Sequence, residues 1–447
     1  MNCSLNRSLA VPARFLLLAA WYLSPVGLES SAPTLFAQDA SFKDRAAGNW
    51  HQWRGPLATG VAPHANPPLT WNGSDGQHIR WKTAIPGRGS SSPVVWEDRI
   101  FLQTAIEGPG SEEGTRGPVQ FCVVCVNRQD GSIAWQKTVH EEQPHESLHS
   151  TNTFASASPV VDGERIYASF GSFGVYCLDW DGDVVWERQL GKMRTRNEFG
   201  EGASPALYND TLIVPWDHEG PSFLVALDAA TGKQRWKQDR DEVTTWNTPL
   251  VVETQRGPVV VINASNRARG YDLKTGSIVW ECGGQVTNPI PCPMADDQLV
   301  FCMSGHRGAA IYAISLEAQG DVTNTSQIAW SRDEAAPYVP SAILYDSRLY
   351  FVKRNSGVLS CLDARTGEPL IDQKRLPELD NVYASPVGAQ DRIYFTGRDG
   401  VTAVIKRSDT LEVLAINRLG EPVDASPALV DGEMFLRGES HLYCIAE

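Results

Sequence analysis

Two groups of residues in this chain have types and spacings that could do chemistry. The first is Cys122 and Cys125 in the run CVVC, a spacing used by metal sites and by redox-active dithiols. The second is His140, His145 and His149 with Glu141, Glu142 and Glu146, whose nitrogen and oxygen donors suit a metal ion. Neither group holds together as a fixed site. On a strand, residues three apart point to opposite faces, so Cys122 and Cys125 cannot share a metal without distortion. A c-type haem requires a histidine directly after the second cysteine, and Val126 stands there. The histidine spacings of five and four match neither a strand nor a turn, and a solvated connection is expected. No metal site is therefore expected.

The remaining cysteines explain the CVVC pair differently. Cys125, Cys177, Cys361 and Cys444 fall at one register of a repeated pattern, where other units carry Ala226, Ala313 or Ala403. Cys302 likewise stands where Ala168 stands in its own unit. Cysteine here behaves as a small buried apolar residue. Equivalent positions on separate units should lie too far apart to bridge, since a disulfide needs Cα atoms within about 7 Å.

The elements that position these residues are repeats. The stretches starting at Ala157, Ala203 and Ala384 each read Ser-Pro, an apolar run, a turn, a second run, a Gly-rich turn and a third run. In the first two a further turn and a tryptophan follow. That is four short strands per unit. Aligning on Pro93, Pro159, Pro205, Pro249, Pro293, Ala342, Pro386 and Pro427 gives spacings of 66, 46, 44, 44, 49, 44 and 41 residues. A four-stranded propeller blade takes about 40–45 residues. The pattern predicts an all-β, eight-bladed β-propeller with four-stranded antiparallel blades. Its first blade is enlarged by the polar insertion EGPGSEEGTRGP, residues 107–118.

The eighth unit lacks one strand before the chain stops. IRWKTAI, residues 79–85, resembles the fourth strands VVWERQL and IVWECGG of other units. It is predicted to complete the last blade, because ring closure hides both edges an open ring would expose. Trp135, Trp186, Trp236 and Trp280 each follow a turn glycine by four residues, Trp330 and Trp81 hold similar places, and Ile371 and Leu414 substitute in units six and seven. A large ring at one position of each outer strand suits packing between neighbouring blades, its indole N–H reaching a turn carbonyl.

The amino terminus reads as an address. Arg7 and Arg14 precede the apolar run of residues 15–28, and small residues lead to Ala37. This is the order of a secretory signal peptide over residues 1–37. The run is too short to span a bilayer, which needs about 20 residues. Residues 38–78 are expected as an extension packed on the propeller, 79–447. Thirty-eight Gly, 28 Pro and 14 Trp fit a turn-rich repeat protein, and the formal charge of −14 argues against nucleic acid. No transmembrane segment is expected after signal removal.

The turns LDAATGKQRW, ending at Trp236, and YDLKTGSIVW, ending at Trp280, resemble the tryptophan-docking repeats of pyrroloquinoline-quinone (PQQ) dehydrogenases. They resemble equally those of the outer-membrane assembly factor propeller, a non-enzymatic relative. The opening NWHQWRGP, from Asn49, is similar to exported bacterial quinoprotein-like propellers. The resemblance to this exported PQQ-repeat family covers roughly residues 49–447 and implies the fold, while one fold carries both enzymes and scaffolds. An enzyme of the family would imply a Cys-Cys pair covering the quinone, and no such pair exists here. It would also imply calcium held by a carboxylate and an asparagine beside a catalytic aspartate. Glu201, Asn247 and Asp424 lie on suitable loops, without the matching motifs.

What the pattern leaves is a rim. The loops leading into first strands carry Glu201, Trp246, Asn247, Tyr338, Tyr383 and Asp424, and the turns between second and third strands carry Arg267, His306, Arg307, Arg354 and Arg398. His218, Asn266, Asn355 and Asp399 share those turns. Aromatics mixed with arginines have the composition of a binding face. The expected function is a non-catalytic binding or scaffold propeller of the bacterial cell envelope, its partner an envelope protein or glycan, with no cofactor. The alternative is a PQQ-dependent alcohol or sugar dehydrogenase with calcium and a diverged cofactor site.

Overall fold

The computed structural model describes residue 42, residues 44–109 and residues 116–447. The signal peptide expected over residues 1–37 lies outside the described residues, as does the centre of the polar insertion.

Short strands separated by tight turns build eight antiparallel sheets in a ring. Seven sheets are consecutive in sequence, over residues 94–142, 160–188, 206–240, 250–282, 294–332, 343–375 and 387–418. The eighth combines three strands within residues 428–445 with the N-terminal strand Ile79–Ala84, which pairs antiparallel with His441–Ile445 and sets Trp81 opposite Cys444. The ring therefore closes as the missing strand predicts. The polar insertion is less a loop than a longer hairpin, since strands Arg99–Pro109 and Arg116–Asn127 run past their counterparts. The next strand extends to Glu142, so His140, Glu141 and Glu142 lie on a strand and not in a solvated connection. A short strand, Gly320–Asp321, adds in parallel to the outer edge of blade 4.

Five of the six outer-strand tryptophans reach across to the next blade, while the Trp280 indole lies against Gly270 of its own blade. The indole N–H groups of Trp81, Trp135, Trp186, Trp236 and Trp330 donate to turn carbonyls of Arg128, Trp180, Ala229, Leu273 and Ala364 at 2.7–2.9 Å. Their rings lie against Gly131, Gly182, Gly232, Gly276 and Gly367, all at positive φ. In these turns only glycine combines that backbone with so close a ring. One register assignment is corrected. A bulge between Val404 and Ile405 places Val404 at the cysteine register of blade 7, opposite Ala415, so Ala403 and Leu414 are not the equivalents. In blade 4 the same register is Gly270, opposite Trp280. All eight described cysteines are free and buried, and none of Cys125, Cys177, Cys361 and Cys444 is bridged.

The Ser-Pro repeats do more than start strands. The residue before each proline position donates its N–H to the hydroxyl of its counterpart in the next blade: Ser92 to Ser158, Ser158 to Ser204, and Ser204 to Thr248. The chain resumes from Cys292 to Ser341, Ser341 to Ser385, Ser385 to Ser426, and Ser426 back to Ser92, each at 2.9–3.1 Å. A belt of seven hydrogen bonds thus girdles the central channel, broken where Thr248 faces Cys292.

The N-terminal segment crosses one end of that channel. Trp50 bridges Val95 of blade 1 and Val61 bridges Gly388 of blade 7. Between them Arg54, 2% exposed, donates to the carbonyls of Pro386, Ala342 and Thr59. The NWHQWRGP run is therefore a plug, with Trp53 reaching through to the hydroxyl of Ser426.

Candidate functional site

With one end plugged, the channel becomes a blind cup opening on the other face, with a volume of about 390 Å³. Its floor is Trp53 and the belt hydroxyls Ser158, Ser204, Thr248, Ser385 and Ser426. Its wall includes Trp246, Phe199, His306, Tyr338, Tyr383 and Asp424. Five of the eleven rim candidates, Trp246, His306, Tyr338, Tyr383 and Asp424, are thus brought together.

The aromatic wall is fixed by local partners. The Trp246 indole N–H donates to the carbonyl of Gly200 at 2.7 Å, and its ring lies 6.4 Å from that of Phe199. The rings of His306 and Tyr338 sit 4.7 Å apart. Burial, then the nearby charges of Arg307 and Arg354, hold His306 below its ordinary value, so it is neutral at physiological pH. Arg398 lies over the Tyr383 ring at 4.3 Å and grips Asp424 through Nε (2.6 Å) and Nη2 (2.9 Å). That fork fixes the carboxylate and spends its charge.

The other candidates separate. Arg307 and Arg354 are exposed turn residues at positive φ, outside the cup lining. Arg267 turns to the outside of blade 4, where it pairs with Asp321 and Glu281. Asn247 is fully buried, its amide donating to the carbonyl of Pro291 and its oxygen accepting from Asn263 N–H. Glu201 leaves the cup altogether. It faces a small side cavity of about 50 Å³ beneath Trp246, between blades 2 and 3, walled by Phe154, Phe170, Phe173 and Met193. There Oε2 accepts the Ser172 N–H at 2.7 Å, and burial pushes the carboxyl up to about 7. Among the turn neighbours, His218 is buried and accepts from Arg194 N–H.

The histidine and glutamate cluster is dispersed. His140 pairs with Glu142, His145 bonds the Met193 carbonyl, His149 bonds Thr151, and Glu146 accepts from Thr195. Among the described residues, no three His, Cys, Asp or Glu gather as a metal site. Sequence reasoning missed Trp53 and the belt hydroxyls. The recurring serine before each strand proline was the available signal, but its meaning depends on the neighbouring blade.

A quinone with calcium would need converging oxygen donors that are free to bind. The three residues on suitable loops do not fit it. Asp424 is held by Arg398, Asn247 spends both amide functions internally, and Glu201 lies in a different cavity.

The family described as outer membrane protein assembly factor BamB matches this chain over residues 65–206, 175–290 and 203–373. The chain belongs to that family of PQQ-repeat propellers. It is similar to the outer membrane protein assembly factor BamB of Yersinia pestis, 22% identical over 218 residues, covering 47% of each chain. It is also similar to a polyvinylalcohol dehydrogenase of a Pseudomonas species, 19% identical over 414 residues, covering 75% of this chain and 59% of the relative. The chain thus spans about half the length of the curated relatives it matches. Among solved structures, BamB from Moraxella catarrhalis aligns with a TM-score of 0.55 at 14% identity, covering 82% of this chain and 96% of that one. A europium-containing methanol dehydrogenase aligns at 0.65 and 11% identity, covering 92% and 100%. These likenesses bear on the fold alone.

Proposed function

We propose that this protein is a non-catalytic binding propeller of the bacterial cell envelope, which presents its aromatic cup to an envelope protein or glycan. The observation that carries this reading is how the cup's polar groups are spent. Its one carboxylate, Asp424, is neutralised by Arg398, and what remains open is a mainly aromatic wall of Trp246, Phe199, Tyr338 and Tyr383, with His306 beside Tyr338, over a floor of hydroxyls. Aromatic faces and hydroxyls are groups that bind. The imidazoles of His149 and His306 are the lining groups able to take up a proton, and no free carboxylate stands beside them in the cup. The positively charged start and apolar run of the sequence support export, and no helix among the described residues is long and apolar enough to cross a membrane. The similarity to an outer membrane protein assembly factor agrees with an envelope partner.

The second reading, a quinone-dependent dehydrogenase, draws on Trp246, a ring available for stacking, and on the polyvinylalcohol dehydrogenase match. One experiment separates the two. Purified protein is incubated with pyrroloquinoline quinone and calcium, and dye reduction is followed with a panel of alcohols and aldoses. The binding reading expects no turnover. Turnover above about 1 s⁻¹, the low end for ordinary enzymes, and its loss in Trp246→Ala would overturn it. In parallel, titration with envelope glycan fragments or envelope protein should quench tryptophan fluorescence, with affinity reduced at least ten-fold in Trp246→Ala.

A further inference from the structure

Beside the cup, at the seam between blades 8 and 1, lies a second groove of about 260 Å³. It is lined by Gly89, Ser90, Ser150, Arg88 and, at its back, Arg437. Arg437 ends the strand Glu433–Arg437 and is 2% exposed. Its Nη1 donates to the carbonyl oxygens of Gln103 (2.7 Å) and Ser91 (3.3 Å). Both partners are neutral. No carboxylate among the described residues pairs with this guanidinium, although burying a charge without a counter-charge is costly.

The other buried arginines are provided for. Arg240 is held by both oxygens of Asp217, at 2.7 and 2.9 Å. Arg269 is held by Glu242 and Glu281. Arg54 also lacks a carboxylate, but both its Nη atoms donate to carbonyls and its Nε is sealed from solvent. Arg437 differs in that its Nε–Nη2 edge donates to no described group, while the side chain lines an open groove. Gly89 keeps that edge uncovered, because a Cβ there would stand 2.7 Å from Nη2.

We propose that the seam groove binds an oxyanion group, a carboxylate or a sulfate or phosphate ester, received by the free Nε–Nη2 edge of Arg437. A guanidinium edge offers two parallel N–H donors that match two oxygens of such a group. The two carboxylates that also line the groove, Asp424 and Glu439, do not supply that match. Asp424 is gripped by Arg398, and Glu439 stands 3.6 Å from Arg88, both of that pair exposed. Arg88 can therefore turn to the ligand at the mouth, with the Ser90 and Ser150 hydroxyls along the wall. Burial brings the Arg437 guanidinium down to about 9, which leaves it cationic at neutral pH. This site does not rest on what the cup binds.

Calorimetric titration at constant ionic strength tests it, with separate arms of glucuronate, sulfate and phosphate against a chloride reference. Saturable binding of at least one oxyanion, absent with chloride, is expected, and the arm that saturates identifies the class. Arg437→Gln should weaken it at least ten-fold. Gly89→Ala provides a second variant in case Arg437→Gln fails to fold. It keeps both carbonyl bonds, crowds the free edge, and should also weaken binding. Equal response to all anions, or oxyanion affinity unchanged in the folded variants, would overturn the proposal.

Discussion

Glu201 shows how one carboxyl can look like a rim ligand in the sequence and be something else in the fold. Its loop does lead toward the channel, but the side chain turns under Trp246 into a cavity with four apolar neighbours of substantial size. A carboxylate desolvated there holds its proton more tightly folded than unfolded, with Glu146 adding like-charge repulsion and a value of about 7 against the ordinary 4.5. Its contribution to stability is therefore fully present below about pH 4.5 and is lost as pH rises through 7. Over that window the folded state binds the extra proton, so stability falls with pH. Glu201→Gln removes the titration while leaving an oxygen for the Ser172 N–H. Between pH 5 and pH 8 the wild type should lose up to about 3 kcal/mol relative to this variant, measured by urea unfolding at the two pH values. Parallel stability curves for the two proteins would mean that the carboxyl is solvated. Asn247 and Arg267 teach the same lesson about legibility. Repeat topology says which loops reach the channel, but the direction of each side chain is set by partners such as Asn263, Pro291 and Asp321, dozens of positions from any local pattern in some cases.

At the scale of the element, the blade was legible because its signals are local. A turn glycine and a tryptophan four residues later sit in one hairpin, and the same pair recurs along the chain. Blade 6 keeps its register without the tryptophan, because Gly367 still precedes Ile371 by four residues, but blade 7 has neither tryptophan nor turn glycine, and its bulge between Val404 and Ile405 goes unmarked in the sequence. The tryptophan and the glycine are also coupled between blades. A Cβ at Gly232 would lie 2.6 Å from the Trp186 ring of the preceding blade, in a backbone at φ +66°. Gly232→Ala must strain the turn and displace the ring at once, lifting the indole from the Ala229 carbonyl it meets at 2.8 Å. A loss of roughly 2–4 kcal/mol is expected, within the range of strain and overpacking effects. The same substitution at Gly432, where a Cβ meets nothing within 4 Å, provides the control and should cost far less. Chemical denaturation of the two variants decides the point. Similar stability would show that the docked ring is not a constraint between blades.

A ring of eight sheets must be held in circumference as well as sheet by sheet, and the whole molecule does this in three ways. The first is the borrowed strand Ile79–Ala84, which joins the start of the chain to its end. The second is the plug, where Arg54 ties the inner strands of blades 6 and 7 through their carbonyls. The third is the hydroxyl belt. Each link satisfies a buried N–H that no strand partner could reach, because it lies before the first strand of its blade and faces the channel. The belt is closed everywhere except at Thr248, whose counterpart in blade 5 is Cys292, a thiol in place of a hydroxyl. Sulfur is a weak acceptor and the link from Thr248 is not made, while the Cys292 Sγ bonds the Ser341 Oγ at 3.3 Å. Serine is close to isosteric with cysteine, so Cys292→Ser should place an oxygen for the Thr248 N–H without moving the backbone. A completed intramolecular hydrogen bond contributes about 0.5–1.5 kcal/mol. The variant should gain stability of that order, read from the urea midpoint at unchanged slope, and its Thr248 amide should exchange with deuterium more slowly than in the wild type. The second reading matters, because a global gain alone could come from better packing against the buried Arg54 next to Cys292. Greater stability with unaltered exchange at Thr248 would assign the effect to packing, and a loss of stability would mean that the thiol at this position is the better fit to its apolar surroundings and that the ring closes fully without the eighth link.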